Sequence, residues 1–388
     1  MNVNSNRIAS GFRARIVRTL IRLSIFRMTL VLFKNPLRAY RVLQQIKKRR
    51  ARIFGTAYIK RYIRSGGKYY FSDTIPGWPS RSFTSFVKAE IDRVIHTEKG
   101  NLPIHTVIFA ITNRCYLRCS HCYEWENISA TDALSLAQLM KIMKDLYEMK
   151  VHHIQLSGGE PLARFDDLLQ ILQSSPGGVD FWILTSGFGL TEEKARMLKE
   201  SGLVGADISL DHWDEDLHNE FRRNEKSFDW AREAVLNCGK YGILTSLSIC
   251  MTRSFVNEDN LHVYLELAKE WGVGMIRLLE PRATGRYSGL DVGLSPEQTE
   301  MAEQFFVEVN SSNKYRKYPV LMYPGYHQRR VGCLGAGNRY FYIDSIGDIH
   351  ACPFCRRKAG NAVRGKIEPA LELLTERGCH EFAMNVGD

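Results

Sequence analysis

The stretch Cys115-Tyr-Leu-Arg-Cys119-Ser-His-Cys122 decides how the rest of the chain is interpreted. It follows an apolar run, residues 105–111 (HTVIFAI), whose β-branched and aromatic side chains predict a buried strand. In α/β folds, loops at the carboxyl ends of strands build the functional sites. Three cysteines are one fewer than a closed zinc or iron–sulfur site uses, so an iron–sulfur cluster bound here would keep one iron open to a further ligand. A zinc knuckle or three unrelated buried cysteines are the alternatives.

Strand-like and helical segments alternate from residue 105 to about residue 280. Strands are predicted at 105–111, 152–156, 180–185, 204–210, 243–251 and 274–280. Helices are predicted between them at about 131–149, 164–174, 191–201, 227–240 and 257–272. Six such repeats predict an α/β fold, in which a parallel sheet carries its helices on the outside.

Two further motifs end predicted strands. The second strand ends in Ser157-Gly158-Gly159-Glu160-Pro161, in which paired glycines let a ligand approach the backbone and a carboxylate can pair with an ammonium group. The fourth strand ends in Asp207-Ile-Ser209-Leu-Asp211, and His218-Asn-Glu-Phe-Arg222 follows it. An ordinary strand-to-helix turn is the alternative for the first motif, and helix capping is the alternative for Asp211.

A second group of cysteines lies near the end of the chain. It consists of Cys333, Cys352, Cys355 and Cys379. The segment RYFYIDSIGDIHA, residues 339–351, alternates on both sides of Ile346-Gly-Asp348 and predicts a β-hairpin. Four thiolates could hold one iron–sulfur cluster or one zinc ion. The other two cysteines, Cys238 and Cys250, are expected to be buried apolar residues.

The cysteine motif and the motifs that follow it resemble those of the radical S-adenosylmethionine (radical SAM) enzymes. In that family a CxxxCxxC motif binds a 4Fe–4S cluster whose fourth iron is chelated by S-adenosylmethionine (SAM), and a GGEP motif holds the methionine end of SAM. The resemblance implies a partial (β/α)6 barrel. It assigns the cluster to Cys115, Cys119 and Cys122.

The same resemblance implies the SAM contacts. His121 would flank the adenine, Gly158, Gly159, Glu160 and Pro161 would hold the methionine, and Ser209 would touch the ribose. The segment from His218 to Arg222 resembles the start of the helix that follows this strand in the family. Arg222 would lie near the SAM carboxylate, although Arg223 fits the spacing as well. At the end of the third strand this chain has Thr-Ser-Gly, where the family more often has Asn-Gly.

The end of the sixth strand resembles a turn of the superfamily. Residues 280–286 (EPRATGR) would point their arginines at SAM or substrate, and a solvated loop is the alternative. No general acid or base can be named. Glu280, Asp344 and Asp348 are plausible by position, but an ordinary turn or solvated carboxylate is the favoured interpretation of each.

The C-terminal pattern of Cys333, Gly347 and Cys352 resembles the opening of a SPASM or twitch domain, which holds auxiliary iron–sulfur clusters. A full SPASM domain has seven cysteines, whereas this chain has four here. The resemblance therefore implies one auxiliary cluster on Cys333, Cys352, Cys355 and Cys379, with Cys379 outside the strict pattern. Clustered thiolates need a reducing compartment, which predicts a cytoplasmic protein.

The positive charge of the chain belongs to its beginning. Residues 1–70 contain 18 Lys and Arg and no Asp or Glu, whereas the other 318 residues contain 35 basic and 42 acidic residues. Arginines interrupt the apolar segment 16–33, and a second helix with the run Lys47-Lys-Arg-Arg50 is predicted over about 36–53. Neither a membrane span nor a signal peptide is expected. Residues 1–55 are expected on an anionic membrane surface, with packing against the enzyme as the alternative and nucleic acid disfavoured.

The sequence thus predicts three units: a basic, mostly helical extension (1–100), a radical SAM core (101–290) and a small C-terminal β-hairpin and cysteine domain (291–388). Enzymes with SPASM domains commonly modify peptides or proteins, so the resemblance implies such a substrate and a reductant such as flavodoxin or ferredoxin. A membrane-associated small molecule or lipid is the alternative substrate. A non-enzymatic metal-cluster scaffold at the inner face of the membrane is the alternative of another class.

Overall fold

The computed structural model describes residues 6–54, 59–95, 103–333, 335–379 and 381–382. An N-terminal unit precedes the cysteine strand. Its strands are β1 (Arg7–Ala9), β2 (Tyr62–Ser65) and β3 (Lys68–Tyr70), and its helices are α1 (Gly11–Phe33), α2 (Pro36–Phe54) and α3 (Arg81–Ile95). The three strands pair antiparallel in that order. The N-terminal segment is thus helical, as its sequence predicts, and it also contains a small sheet.

The core follows the predicted alternation of strands and helices. Its parallel strands are β4 (Thr106–Ala110), β5 (His153–Ser157), β6 (Asp180–Thr185), β7 (Leu203–Ser209), β8 (Leu244–Cys250) and β9 (Met275–Leu279). Its helices are α4 (Leu136–Glu148), α5 (Phe165–Gln173), α6 (Glu192–Glu200), α7 (Glu215–Arg222), α8 (Ser227–Lys240) and α9 (Glu258–Glu270). The predicted α/β fold of the partial (β/α)6 type is confirmed, with bounds shifted by a few residues.

The rest of the chain extends this sheet at both edges. Its elements are α10 (Pro296–Ser311), β10 (Val320–Met322), α11 (Pro324–Val331), β11 (Tyr340–Ile343), β12 (Asp348–His350), β13 (Gly360–Asn361) and α12 (Glu368–Arg377). β10 pairs parallel with β9, while β11 pairs parallel with β4 and continues into β12 and β13. The predicted hairpin is therefore confirmed as β11–β12. It also covers the edge of β4, whose backbone groups would otherwise lack partners.

The predicted division into three units stays a prediction. The first boundary, at residues 100 and 101, lies outside the described residues. The second boundary, at residues 290 and 291, lies between β9 and α10, and segments on both sides of it contribute strands to the same sheet.

The N-terminal unit closes one end of the core. Ile63 and Tyr70 pack in one apolar cluster with Trp182, Leu244 and Met275. Because Leu244 and Met275 begin their strands, this cluster lies at the amino-terminal end of the sheet. The carboxyl ends of the strands, where the cysteine motif lies, are at the opposite end. Cys238 and Cys250 are both buried, as expected.

Candidate active site

The first cysteine loop packs directly against the Gly-Gly segment. Gly159 N–H donates to the carbonyl of Thr112 at 2.9 Å, and Glu160 N–H donates to the carbonyl of Arg114 at 2.7 Å. A Cβ on Gly158 would lie 2.5 Å from the Thr112 carbonyl oxygen, and one on Gly159 would lie 2.2 Å from that of Arg114. Glycine is required at both positions because any larger residue would push the two loops apart. The structure therefore brings the first two predicted motifs together.

The three thiols of this loop share one buried environment. Burial raises the pKa of Cys115 and of Cys122 to about 12 each, and the neighbouring thiols contribute to the same rise. Burial also raises the pKa of Cys119. Metal-free thiols here are therefore protonated at neutral pH, and binding an iron centre would release their protons.

The donor set of this loop is compatible with an iron–sulfur cluster. Among the described residues, no three His, Cys, Asp or Glu side chains could hold one metal ion. An iron–sulfur cluster spreads its thiolate ligands over several irons, so it accepts thiols that face a common space without meeting at one point. The chemistry of the donor set, three thiols in one loop, is that of an iron–sulfur cluster.

Arg222, and not Arg223, belongs to this site. Its Nη1 lies 3.6 Å from Cys119 Sγ, and its Nε donates to Asp211 Oδ2 at 2.5 Å. Arg223 is the exposed residue that ends α7 with φ of 55°. Burial alone would raise the pKa of Asp211, but the Arg222 guanidinium holds it below its ordinary value.

Two expectations about this segment are wrong. Asp211 does not cap the following helix, because the capping side chain is that of Asp214, which accepts from Leu217 N–H at 3.0 Å. The segment from His218 to Arg222 is the end of α7 and not its start. Asp211 instead accepts from Cys250 N–H at 2.9 Å, and this bond fixes the carboxylate that faces Arg222.

His121 and Ser209 lie at the same end of the core. The His121 ring stacks on Phe221, with centroids 4.8 Å apart and planes 20° apart. Burial lowers the pKa of His121 to about 4, so the ring is neutral at pH 7. Its buried Nδ1 has no hydrogen-bond partner among the described residues. Ser209 is the last residue of β7 and is half-buried. Their predicted contacts with adenine and ribose stay predictions.

Glu160 is held by residues at the end of β6, the Thr-Ser-Gly segment to which the sequence analysis assigns no role. Thr185 Oγ1 donates to Glu160 Oε1 at 2.6 Å, and Ser186 donates to Oε2 from its N–H at 2.8 Å and from its hydroxyl at 2.5 Å. Leu162 N–H also donates to Oε1, at 3.1 Å. Burial raises the pKa of Glu160, and these hydrogen bonds oppose the rise. The position of Thr185 at the end of β6, next to β5, was the signal that could have identified it.

The end of β9 completes the wall around the cysteine loop. Arg286 N–H donates to the carbonyl of Cys122 at 3.0 Å, and the Arg286 guanidinium lies 3.5 Å from the centroid of Trp125. A Cβ on Gly285 would lie 2.2 Å from the Cys122 carbonyl oxygen. The solvated-loop alternative for this segment is therefore wrong. Glu280 is already paired, since it accepts from Arg329 Nη1 at 2.7 Å.

The second group of cysteines also converges. Burial, and then the nearby Cys379 thiol, raise the pKa of Cys333 to about 12. The pKa of Cys355 is raised by the adjacent Cys352 thiol and by burial, and Cys379 lies within hydrogen-bonding reach of it. Cys333 N–H donates to the carbonyl of Phe382 at 3.2 Å, which ties the last described segment to this group. Cys379, the residue outside the strict spacing pattern, therefore joins the other three.

Comparison with known proteins decides the family. Residues 109–268 match the family model of the radical SAM superfamily. The mycofactocin maturase MftC of Mycolicibacterium smegmatis is 31% identical over 267 residues, which cover 66% of this chain and 66% of that protein. The chain belongs to the radical SAM superfamily. The chain therefore spans only part of the length of MftC, 66% of that protein.

Solved radical SAM structures share the fold. Streptococcus suis SuiB bound to precursor peptide SuiA gives a TM-score of 0.56 at 13% identity, covering 75% of this chain and 69% of that chain. Native anSMEcpe with bound AdoMet and Cp18Cys peptide gives a TM-score of 0.54 at 17% identity, covering 71% of this chain and 82% of that chain. At these identities the likeness establishes the fold alone.

One buried carboxylate connects the radical SAM core to the C-terminal hairpin. Glu124, two residues after Cys122, accepts from Tyr342 Oη at 2.6 Å and from Arg356 Nη1 at 2.5 Å. No motif in the sequence pointed to it. It fixes the cysteine loop against β11.

Asp344 and Asp348 serve the hairpin itself. Asp344 accepts from the N–H groups of Ile346 and Asp348, at 3.1 and 2.8 Å, and pairs with His350 Nε2 at 3.0 Å. Asp348 pairs with Lys358 Nζ at 2.6 Å. Both carboxylates are therefore turn and ion-pair residues, as the simpler alternative in the sequence analysis stated.

Proposed function

We propose that this radical SAM enzyme cleaves SAM reductively at a 4Fe–4S cluster held by Cys115, Cys119 and Cys122. When bound, the cluster and SAM supply a 5′-deoxyadenosyl radical that takes a hydrogen atom from the substrate. The observation that carries the proposal is the close packing of the three-thiol loop on the Gly158–Gly159 backbone. That packing supports the proposal, because it would put a cluster beside a stretch of backbone that a small polar ligand can approach closely.

The residues around the loop would position SAM. The flat His121 ring, neutral and stacked on Phe221, offers a surface for an adenine base. Arg222 offers a fixed positive charge for the SAM carboxylate. Gly158 to Pro161 would hold the methionine amino group, and Ser209 at the end of β7 would reach the ribose.

The four C-terminal cysteines would hold an auxiliary iron–sulfur cluster. Their convergence from three separate segments supports a common ligand, since buried thiols gain nothing from proximity alone. Zinc on the same four thiols is the competing assignment, and metal analysis separates the two.

For the substrate we propose a peptide or protein side chain. The maturase name of the MftC relative and the peptides bound to SuiB and anSMEcpe support this class. The electron would come from a reductant such as flavodoxin or ferredoxin in the cytoplasm. A membrane-associated small molecule or lipid is the second candidate, favoured by the exposed apolar and basic side chains of residues 11–41.

Anaerobic reconstitution tests the proposal. Iron and sulfide are counted, and 5′-deoxyadenosine is measured after addition of SAM and dithionite. About eight irons with deoxyadenosine formed is the expected result, and about four would remove the auxiliary cluster only. Zinc in place of iron at the first site would overturn the proposal.

A further inference from the structure

Helix α1 has two apolar faces, and only one of them packs against the protein. The inner face carries Ala14, Val17 and Ile21, which are buried in one cluster with residues of α2 and α3. The opposite face carries Phe12, Ile16, Leu20 and Leu23, which we call the outer stripe. Their side chains are 76, 44, 44 and 57% exposed.

The spacing of the outer stripe shows that it is continuous. Its residues follow one another at intervals of four, four and three, which places them on one side of a helix. A helix of 23 residues is about 35 Å long, so the stripe runs along about half of it. A row of exposed apolar side chains of this length marks an interaction surface.

Basic side chains border the outer stripe. Arg15 and Arg22 lie along one border and Arg13 along the other, and all three are exposed. Helix α2 also carries exposed apolar residues, since Leu37 and Tyr40 are 72 and 57% exposed. The first acidic residue of the chain is Asp73, so no carboxylate of residues 1–70 neutralises these arginines.

We propose that α1 lies flat on an anionic lipid bilayer, with the outer stripe among the acyl chains and the bordering arginines at the phosphates. An apolar row bordered by arginines, in a segment whose residues 1–70 contain no acidic residue, is complementary to the headgroup boundary of such a bilayer. Among the residues that the structure describes, none of the helices could span a membrane.

A second copy of the chain fits this surface poorly. A two-fold contact through the outer stripe would place the arginine rows of both copies next to each other. The repulsion would be uncompensated, since the segment has no acidic residue to pair with them.

Membrane binding needs no refolding of α1. The inner face is already packed, and Lys34, with φ of 49°, ends the helix with its N–H donating to the carbonyl of Leu30 at 2.8 Å. The surface is therefore preformed, unlike that of a segment that folds on contact with lipid. α2 also contacts α11, whose Gly325 lies against Glu280 at the end of β9. Through α11, α2 therefore comes near the end of β9, although the small sheet of the same unit packs at the opposite end of the core.

Co-sedimentation of the full chain with vesicles tests the proposal. Wild type should bind vesicles of phosphatidylcholine with phosphatidylserine and should bind pure phosphatidylcholine weakly. The double substitution Ile16→Glu and Leu20→Glu should weaken binding by about tenfold or more, because two apolar side chains leave the lipid. Leu236→Glu is the matched control, since Leu236 is 53% exposed on α8, and it should bind like wild type.

The arginines are tested separately. Arg15→Gln with Arg22→Gln should weaken binding to the anionic vesicles by about tenfold or more, and Arg232→Gln, on the exposed face of α8, should not. Equal binding of wild type to both vesicle types would overturn the role assigned to the arginines. Absence of binding to the anionic vesicles would overturn the proposal as a whole.

Two further measurements distinguish the alternatives. Far-ultraviolet circular dichroism should not change when vesicles are added, and a rise in helix content would show that α1 is not preformed. Light scattering should give the same mass for wild type and for the Ile16→Glu, Leu20→Glu variant. A dimer that this variant dissociates would assign the surface to a second copy instead. None of these readouts depends on SAM cleavage, so they can fail while the proposed activity holds.

Discussion

The two cysteine sites of the molecule are built differently. The first takes three thiols from a single loop, whereas the second takes four from the ends of α11, β12 and α12. Three thiols leave a four-iron cluster with one iron free for another ligand, while four can occupy every iron. The first site is therefore suited to bind and change a small molecule, and the second to hold a closed cluster.

The neighbours of the two sites differ in the same sense. Near the first site, Arg222 lies 3.6 Å from Cys119 and the Glu160 carboxylate influences the pKa of Cys115. Near the second, the phenol of Tyr340 lies against Cys333, and burial raises its pKa well above the ordinary value. Charged groups lie near both sites, because Glu381 also raises the pKa of Cys355, but only Arg222 at the first site is described here within 3.6 Å of a thiol. The comparison supports the proposal that the first site binds a ligand that the protein does not itself supply.

The largest effect is expected from Cys119→Ala. Loss of one of three thiols should remove about four irons per chain and abolish formation of 5′-deoxyadenosine. The measurement is iron content together with product formation after anaerobic reconstitution. Cys238→Ala removes a buried thiol outside both sites, and this variant should keep the iron content and the product formation of wild type. If Cys119→Ala kept its iron and its activity, the three-thiol loop would not be the cluster site.

The next largest effect is expected from Cys333→Ala combined with Cys352→Ala. The second site should lose its metal, so that iron falls by about four per chain, while SAM cleavage at the first site persists. Iron, zinc and deoxyadenosine are measured on the same sample. Unchanged iron with loss of zinc would assign zinc to the second site. Loss of SAM cleavage would contradict the independence of the two sites.

The comparison between the sites also shows what the sequence can predict. The ligand cysteines, Gly158, Gly159 and Glu160 are encoded in short motifs at strand ends, and strand ends are predictable from local apolar patterns. The partners of Glu160 are only partly predictable. The place of Thr185 at a strand end marks it as a candidate, but no local pattern specifies the register that lets Thr185 and Ser186 reach Glu160.

The same limit explains what was missed elsewhere. Pairing of β11 with β4 joins residues more than 200 positions apart, and a hairpin pattern does not reveal which edge it will cover. Glu124 has a role only through that pairing, since its partners Tyr342 and Arg356 come from the hairpin side. The start of α7 was predicted wrongly because Asp214, which caps the helix, belongs to neither of the two motifs on either side of it, residues 207–211 and 218–222.

An intermediate effect is expected from Arg222→Lys. Lysine keeps the charge that Asp211 needs, but one ammonium group cannot reach both Asp211 and the Cys119 thiol. The dissociation constant of SAM should rise about tenfold, or by about 1.4 kcal/mol, with cluster content unchanged. Arg223→Lys, at the exposed end of α7, is the matched control. An equal effect of both substitutions on the dissociation constant would mean that Arg222 does not bind SAM at the first site.

The smallest effect is expected from Thr185→Val, and it should depend on pH. The Thr185 hydroxyl donates to Glu160 at 2.6 Å, and this bond opposes the rise that burial imposes on the pKa of Glu160. Without it the folded-state pKa should rise further above the ordinary 4.5. A carboxyl whose pKa is raised by folding costs stability once the pH exceeds its unfolded value.

The variant should therefore melt close to wild type below pH 4.5 and at a lower temperature at pH 7. The loss at neutral pH should be about 1.5–3 kcal/mol, the size of a hydrogen bond to a charged group. Thr19→Val, at an exposed position of α1, should melt like wild type at both pH values. A loss of equal size at both pH values would mean that Glu160 is not ionised in the folded protein. The first site would then lack the negative charge with which Glu160 is proposed to bind the amino group of SAM.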